Sequence, residues 1–381
     1  MPPRIVVFGA TGYTGRKTAA ALVARGERPV LAGRNAERLA SLASDLGGLE
    51  TAVADVADPP SVNELVDRGD VLVATVGPFV RFGRPAVEAA IDGGAHYVDS
   101  TGEPPFIREV FEHYGSGAAR SGVALLTAMG YDWVPGNLAG ALALERAGDE
   151  AVRVDTGYFI TGEASVGGMS GGTRASTAAN LSASAFAWRD GRIVTERSLR
   201  RLRTFSVDGE ELPAVSVGTS EHFGLPRFAP QLREVNAYLG WFGRLARPMQ
   251  AFSAMGAAVA AVPGARRLMD ATTSRIVKGS TGGPDEQTLA KGGSHVVAIA
   301  YDEGGRELAE VHLVGVDGYT FTARLLGWAA AKIAAGGLQS SGALAPVEAF
   351  GLRELEAGVA EAGLAETGLT ARAEPGLGRA T

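Results

Sequence analysis

Arg4-Ile5-Val6-Val7-Phe8, followed at once by Gly9-Ala10-Thr11-Gly12-Tyr13-Thr14-Gly15, is the stretch on which the reading of this chain turns. The apolar run has the character of a strand buried on both faces. The glycines fall three residues apart, and a helical pattern, Tyr13–Arg25, starts inside them. Each glycine has a physical use in a strand-to-helix turn that cradles a pyrophosphate. Gly9 permits the tight turn, Gly12 lets backbone approach the phosphates, and Gly15 lets the helix pack close to the sheet. The helix N-terminus adds free N–H groups and partial positive charge. Thr11, Tyr13 and Thr14 supply further side-chain or backbone donors. A ligand-free turn is the bland alternative, but strand, glycines and helix onset coincide in the first βα unit.

The end of the second strand separates the two nicotinamide cofactors. An NAD site places Asp or Glu there to accept from the ribose hydroxyl. This chain has Leu31-Ala32-Gly33-Arg34-Asn35, with no acid. Gly33 leaves room, and Arg34 offers a guanidinium fork for a 2′-phosphate. Arg38 lies four residues on, on the same face of the next helix, for which Asn35 is an N-cap. Asp55-Val56 follows the third strand, where the adenine is met. Gly77-Pro78-Phe79 follows the fourth, near the ribose and nicotinamide. The implied cofactor is NADP(H).

The first part of the chain alternates strand and helix patterns, which argues for a doubly wound parallel α/β sheet. The expected strands are Arg4–Phe8, Arg28–Ala32, Glu50–Ala54, Asp70–Thr75, His96–Asp99 and Val123–Thr127. After Asn137 the pattern changes. A glycine-rich segment, Thr161–Gly172, precedes an expected helix, Thr173–Trp188. Ser294–Tyr301 and Glu307–Gly315 read as a hairpin turned by Asp302–Gly305. A turn at Asp317-Gly318 is expected to lead into a strand and then a helix over Ala323–Ala335. Pro346 suits the first residue of a C-terminal helix. The expected domains are therefore 1–138, a Rossmann unit completed by part of 340–370, and 139–338, an α+β domain on a mixed or antiparallel sheet. Residues 371–381 read as a flexible tail.

The chain has 381 residues, a net charge of −6 and no cysteine. The charge argues against nucleic acid as a partner. The missing cysteines exclude disulfides and thiolate catalysis and fit a cytoplasmic setting. No signal peptide or apolar run of spanning length is expected. His96, His113, His222, His295 and His312 show no close metal spacing, so no metal is expected.

Gly9–Gly15, Ala32-Gly33-Arg34, Val76-Gly77-Pro78-Phe79, Tyr97-Val98-Asp99 and Tyr131-Asp132-Trp133-Val134-Pro135-Gly136 together resemble the saccharopine dehydrogenase-like oxidoreductases. Within that family the chain is similar to the actinobacterial trans-acting enoyl reductase branch. Ser170-Gly171-Gly172-Thr173 and the Gly342–Gly351 stretch also resemble that branch. The resemblance implies an NADP-dependent reductase whose second domain covers the nicotinamide. It leaves the acceptor open between imines, enoyl thioesters and other polarised groups.

Hydride transfer needs the nicotinamide held close and a donor for the proton. Tyr13 and Lys17 have Tyr-x-x-x-Lys spacing but lie in the phosphate turn and its helix, so they are rejected as catalytic. The carboxyl ends of the later strands offer Tyr97, Asp99, Tyr131 and Asp132. Tyr131 is a candidate proton donor, Asp132 its orienting partner or a ribose ligand, and Asp99 a catalytic acid or a loop brace. Tyr238–Leu268 is apolar and aromatic with flanking Arg244, Arg247, Arg266 and Arg267. It reads as core, a homodimer interface, a substrate tunnel or a membrane-surface element over 238–268. The expected function is hydride transfer from NADPH to an enoyl group of a small or lipid-like substrate. The alternatives are a saccharopine-type imine reductase, a non-catalytic NADP sensor and a lipid-surface protein.

Overall fold

The computed structural model describes residues 2–162, 184–251, 253 and 282–367. Most of the glycine-rich segment, the Ser170–Thr173 motif, much of the apolar segment (Arg266 and Arg267 included) and the tail 371–381 lie outside the described residues.

The N-terminal sheet contains β1 (Ile5–Phe8), β2 (Val30–Gly33), β3 (Thr51–Val53), β4 (Val71–Ala74), β5 (His96–Asp99) and β6 (Ala124–Leu126). The strands run parallel in the order β3-β2-β1-β4-β5-β6, and a short strand, Gly342–Ala343, joins beyond β6. This is the Rossmann order, with its switch point between β1 and β4. Val7 pairs with Leu31 on one side and Val73 on the other. All four residues of β1, β2 and β4 are buried, as continuous apolar runs require. β3 departs from that pattern. It is a sheet edge, and Val53 stands 60% exposed.

Helix α1 (Tyr13–Ala24) follows β1, and α2 (Ala36–Asp45) follows β2. Two short helices, α3 (Phe79–Phe82) and α4 (Pro104–Glu109), follow β4 and β5. Helix α5 (Val134–Ala147) leaves the Rossmann sheet and packs on the second one.

The second sheet contains β7 (Arg153–Gly162), β8 (Ser184–Arg189), β9 (Arg192–Arg197), β10 (Leu202–Val207), β11 (Glu210–Val217), β12 (Glu234–Leu239), β13 (Gly292–Tyr301) and β14 (Glu307–Val316). Leu364–Glu366 closes its edge against β14. The sheet is mixed: β12 and β7 are parallel, and the other pairings are antiparallel. Helix α6 (Glu221–Phe228) lies between β11 and β12.

Three expectations need correction. Residues 184–188 are strand, because Trp188 pairs with Ile193 and Val235, so the expected helix over Thr173–Trp188 does not reach its end. No strand follows Asp317-Gly318. Asp317 accepts from Tyr319 N at 2.9 Å and Thr320 N at 3.0 Å, which caps a helix, α7 (Gly318–Ala334). That helix packs on α1, β4 and β5, so the chain returns to the Rossmann domain at about 318 rather than 340. A last helix, α8 (Leu352–Ala362), packs over α7, after a turn of helix opened by Pro346 as expected.

Gly136 sits where α5 meets β7 and α6. A Cβ there lies 2.2 Å from the Tyr158 hydroxyl oxygen and 2.4 Å from Glu221 Oε1. Gly136→Ala is therefore expected to destabilise the fold by about 1–3 kcal/mol in denaturant unfolding. Wild-type stability in that variant would show that α5 does not sit this tightly.

Candidate active site

The glycine turn has the geometry its sequence demands. Gly9 has φ +87°, a conformation that favours glycine. Its N–H and that of Ala10 donate to Ala32 O on β2, at 2.9 and 3.1 Å. A Cβ on Gly15 would stand 2.3 Å from Gly9 O and 2.8 Å from Thr75 Oγ1, so only glycine lets α1 start this close to β1 and β4. Gly12 is the N-cap of α1 and has no side chain over the helix end. The first-turn amides, with no acceptor inside the helix, face outward as an anion site. Thr11 and Thr14 flank that end. Tyr13 departs from expectation: its hydroxyl donates to Pro284 O at 2.7 Å, and its ring meets Tyr319 edge-on at 5.3 Å. The phenol faces the second domain and leaves only backbone for the cofactor.

At the end of β2, Gly33 is buried and Arg34 is exposed. Asn35 caps α2, accepting from Arg38 N at 2.8 Å. The guanidinium groups of Arg34 and Arg38 carry no ion pair or hydrogen bond among the described residues. Arg34 follows the strand end that meets the glycine turn at Ala32 O, and no acid stands there. This fits a 2′-phosphorylated ribose and does not fit a bare diol. Asp55 and Val56 are partly buried at the end of β3, and Asp55 Oδ1 braces its own turn by accepting from Ala57 N at 3.0 Å.

Gly77-Pro78-Phe79 follows β4 and carries a cis peptide bond at Pro78. Glu103, which the sequence reading missed, holds this turn in place. Its buried carboxylate accepts from Phe79 N and Val80 N, both at 2.9 Å, and so caps α3. Glu103 stands just before Pro104-Pro105, the mark of a helix start, and nothing in the sequence shows that it reaches across to another loop.

Two catalytic candidates are corrected. Asp99 is fully buried and accepts from Thr101 N, Ala128 N and Thr127 Oγ1 at 2.8–2.9 Å. Burial raises its pKa to about 6, and the bonds oppose that rise. Asp99 braces the ends of β5 and β6 against each other. The Tyr131 hydroxyl donates to Phe159 O at 2.9 Å, so its proton is committed to backbone. Desolvation raises its pKa further, and its ring stacks on Trp241 at 6.4 Å. Tyr97 is fully buried in β5. Tyr238 is buried in β12, which places the start of the 238–268 segment inside the protein rather than at a membrane surface.

Asp132 is different. It is partly exposed, between buried Tyr131 and Trp133. Its carboxylate has no hydrogen bond or ion pair among the described residues. Desolvation raises its pKa to about 7. It lies against Gly102, where a Cβ would stand 2.6 Å from Asp132 Oδ2. Gly102 precedes Glu103, which holds the Gly77–Phe79 turn. Asp132 thus adjoins the loop that follows β5, one residue from the carboxylate that holds the Gly77–Phe79 turn. Behind it lies a second unforeseen group. Fully buried Glu221 accepts from Tyr158 Oη at 2.6 Å, and burial lifts its pKa to about 7. Thr219-Ser220-Glu221 reads as an ordinary helix start, which hid it.

Among the described residues no group of three or more His, Asp or Glu side chains is arranged to hold a metal ion, and no helix is long and apolar enough to cross a membrane.

A Rossmann sheet with a glycine turn after β1, an arginine and no acid at the end of β2, and a second sheet domain defines a dinucleotide-binding protein of two-domain dehydrogenase architecture. Residues 5–126 match the family described as saccharopine dehydrogenase NADP binding domain. That match covers the cofactor-binding domain alone, about a third of the chain, and supports NADP(H) as the cofactor. The chain is 38% identical over 140 residues to a trans-acting enoyl reductase of Mycobacterium ulcerans, covering 35% of this chain and 34% of that protein. It is 36% identical over 180 residues to a provisionally named trans-acting enoyl reductase of Mycobacterium tuberculosis, covering 45% and 42% respectively. The matched region thus spans less than half the length of these relatives. Saccharopine dehydrogenase (L-Glu forming) from Saccharomyces cerevisiae superposes with a TM-score of 0.58 at 14% identity, over 96% of this chain and 99% of that one. That likeness establishes a shared fold.

Arg34→Ala is expected to weaken NADPH binding about 10- to 100-fold and to leave NADH nearly unchanged, read by calorimetric or fluorescence titration. An unaltered preference for NADPH would place the 2′-phosphate elsewhere.

Proposed function

We propose that the protein is an NADPH-dependent reductase that saturates a polarised carbon–carbon double bond of an apolar, enoyl-type substrate. The observation that carries this reading is Asp132: a partly exposed carboxyl with no partner among the described residues and a raised pKa, set against the loop that follows β5. The names of the mycobacterial relatives support the choice of an enoyl acceptor. So does the apolar surround, where Tyr131, Trp241 and Phe321 pack together and Val80 is 49% exposed on α3.

The bound nicotinamide supplies the hydride. The chain does the rest. The glycine turn and Arg34 hold the phosphates, and the Gly77–Phe79 turn, pinned by Glu103, presents backbone towards the nicotinamide end. With hydride delivered to the β-carbon of the acceptor, the Asp132 carboxyl would give its proton to the α-carbon. A group with a pKa near 7 suits this task, because its acid form is populated at neutral pH and its proton is readily given. Asp132 leaves as carboxylate and is reprotonated from solvent, to which it is partly open.

Asp132→Asn is expected to lower kcat by about 10²- to 10⁴-fold and to leave NADPH affinity within about twofold. The sign of the pH dependence follows from the raised pKa. The acid form is complete well below pH 7, so the wild-type reduction rate falls as pH rises through about 7. The variant loses that limb. An Asn variant with wild-type kcat and pH profile would remove Asp132 from the reaction. NADPH binding without oxidation across enoyl, imine and carbonyl panels would favour a sensor.

A further inference from the structure

A second polar site lies in the other domain, away from the glycine turn. β8, β9, β11 and β12 border a half-open recess whose enclosed space is small, about 10 Å³, room for one water-sized group. Arg189, Arg197, Arg201, Glu196, Asn236 and Ser216 contribute to its lining. Three guanidinium groups therefore meet one carboxylate. His222 also lines the recess but adds no charge at neutral pH, because burial lowers its pKa to about 3.

Among the described residues only one hydrogen bond of these three arginines goes to a carboxylate, from Arg201 to Glu196 Oε1 at 2.8 Å. Arg189 is held by three neutral acceptors, Trp188 O at 2.7 Å, Val235 O at 2.9 Å and Asn236 Oδ1 at 2.5 Å. Its Nε–H is buried with no hydrogen-bond partner among the described residues. Arg197 donates to Gln250 O at 3.1 Å. The negative charge here, Glu196, is shared between Arg189 at 3.3 Å, Arg200 at 3.3 Å and Arg201 at 2.8 Å. Asp155, the nearby acid beyond Asn236, is taken by Arg203 and Arg153. Glu234 is the other acid that favours the charged form of Arg189. Among the described residues, six arginines and three acids thus lie in or near this partly desolvated recess, in a chain whose net charge is −6. The Arg189 side chain is 12% exposed and that of Glu196 6%, so water screens the imbalance poorly.

We propose that the mouth of this recess is an anion site, which seats one oxygen of a carboxylate or a phosphate against Arg189, Arg197 and Arg201 while the rest of the anion stays in solvent. The anion supplies the missing counter-charge. The buried Arg189 Nε–H donates to it, together with those N–H groups of Arg197 and Arg201 that have no acceptor among the described residues. The site is distinct from the 2′-phosphate pocket at Arg34 and does not depend on the assigned reaction.

The test is a calorimetric titration of the full chain saturated with NADP+, so that the cofactor's own phosphate sites are filled. Inorganic phosphate and acetate are titrated separately, with ionic strength held constant by NaCl. Saturable 1:1 binding of either anion is expected, and the preferred anion tells a phosphate-type from a carboxylate-type site. Arg201→Gln and Arg197→Gln are each expected to weaken it about tenfold or more. Arg233→Gln, which removes an exposed pair with Glu303, is expected to leave it unchanged. Absence of saturable binding of both anions to the wild type overturns the proposal, whether or not the variants fold. Equal affinity in both recess variants also overturns it.

Discussion

Everything at the candidate active site depends on how closely α1 can start against β1 and β4. Gly15 passes so near Gly9 O and Thr75 Oγ1 that a single Cβ would collide with both. Thr75 in turn donates to Phe8 O at 2.9 Å, which locks the ends of the two strands that flank the switch point. The helix axis therefore aims its free amides at the crevice where the sheet order reverses. Cofactor binding at this edge is a consequence of backbone packing, and the side chains around it refine which dinucleotide enters.

The second constraint is that the chain must come back. Helix α7 covers the Rossmann sheet beside α1, Gly342–Ala343 extends that sheet, and Leu364–Glu366 ends on the other one. The two sheets are thus fastened by the chain crossing between them several times. The Tyr13–Pro284 bond adds a tie directly at the phosphate turn. Such fastening gives Asp132 its character. The residue follows β6, lies against Gly102 and adjoins Tyr131, whose hydroxyl is bonded to the second sheet at Phe159 O. A carboxyl held there loses water without gaining a partner, and its proton becomes harder to remove.

What was legible in the sequence was whatever depends on near neighbours. Glycine spacing, an apolar strand and helix onset lie within eleven residues and report on each other, so the phosphate turn, its strand and the absence of an acid at Gly33-Arg34 could be read directly. Asn35 as a cap and the β13–β14 hairpin are equally local. Tyr131, Asp99 and Glu103 were not legible in role, because their partners lie 28, 29 and 24 residues away. Asp99 and Tyr131 stand at strand ends where catalytic groups are expected, yet bonds to distant backbone occupy them. Glu221 was hidden for the same reason, since its partner Tyr158 is 63 residues earlier. The Asp317 turn failed as a strand signal because Asp is as good a helix cap as a hairpin residue, and the choice was made by packing against α1.

The account rests on one placement: NADP lies across the carboxyl edge of the Rossmann sheet, with its adenosine end at Arg34 and its nicotinamide end beside Asp132. A crystal structure with NADP+ bound measures this directly. The account predicts the 2′-phosphate on Arg34, the pyrophosphate on the amides after Gly12, and the nicotinamide between the Gly77–Phe79 turn and the Asp132 carboxyl. A nicotinamide ring found away from Asp132, or a 2′-phosphate with no contact to Arg34, would contradict it.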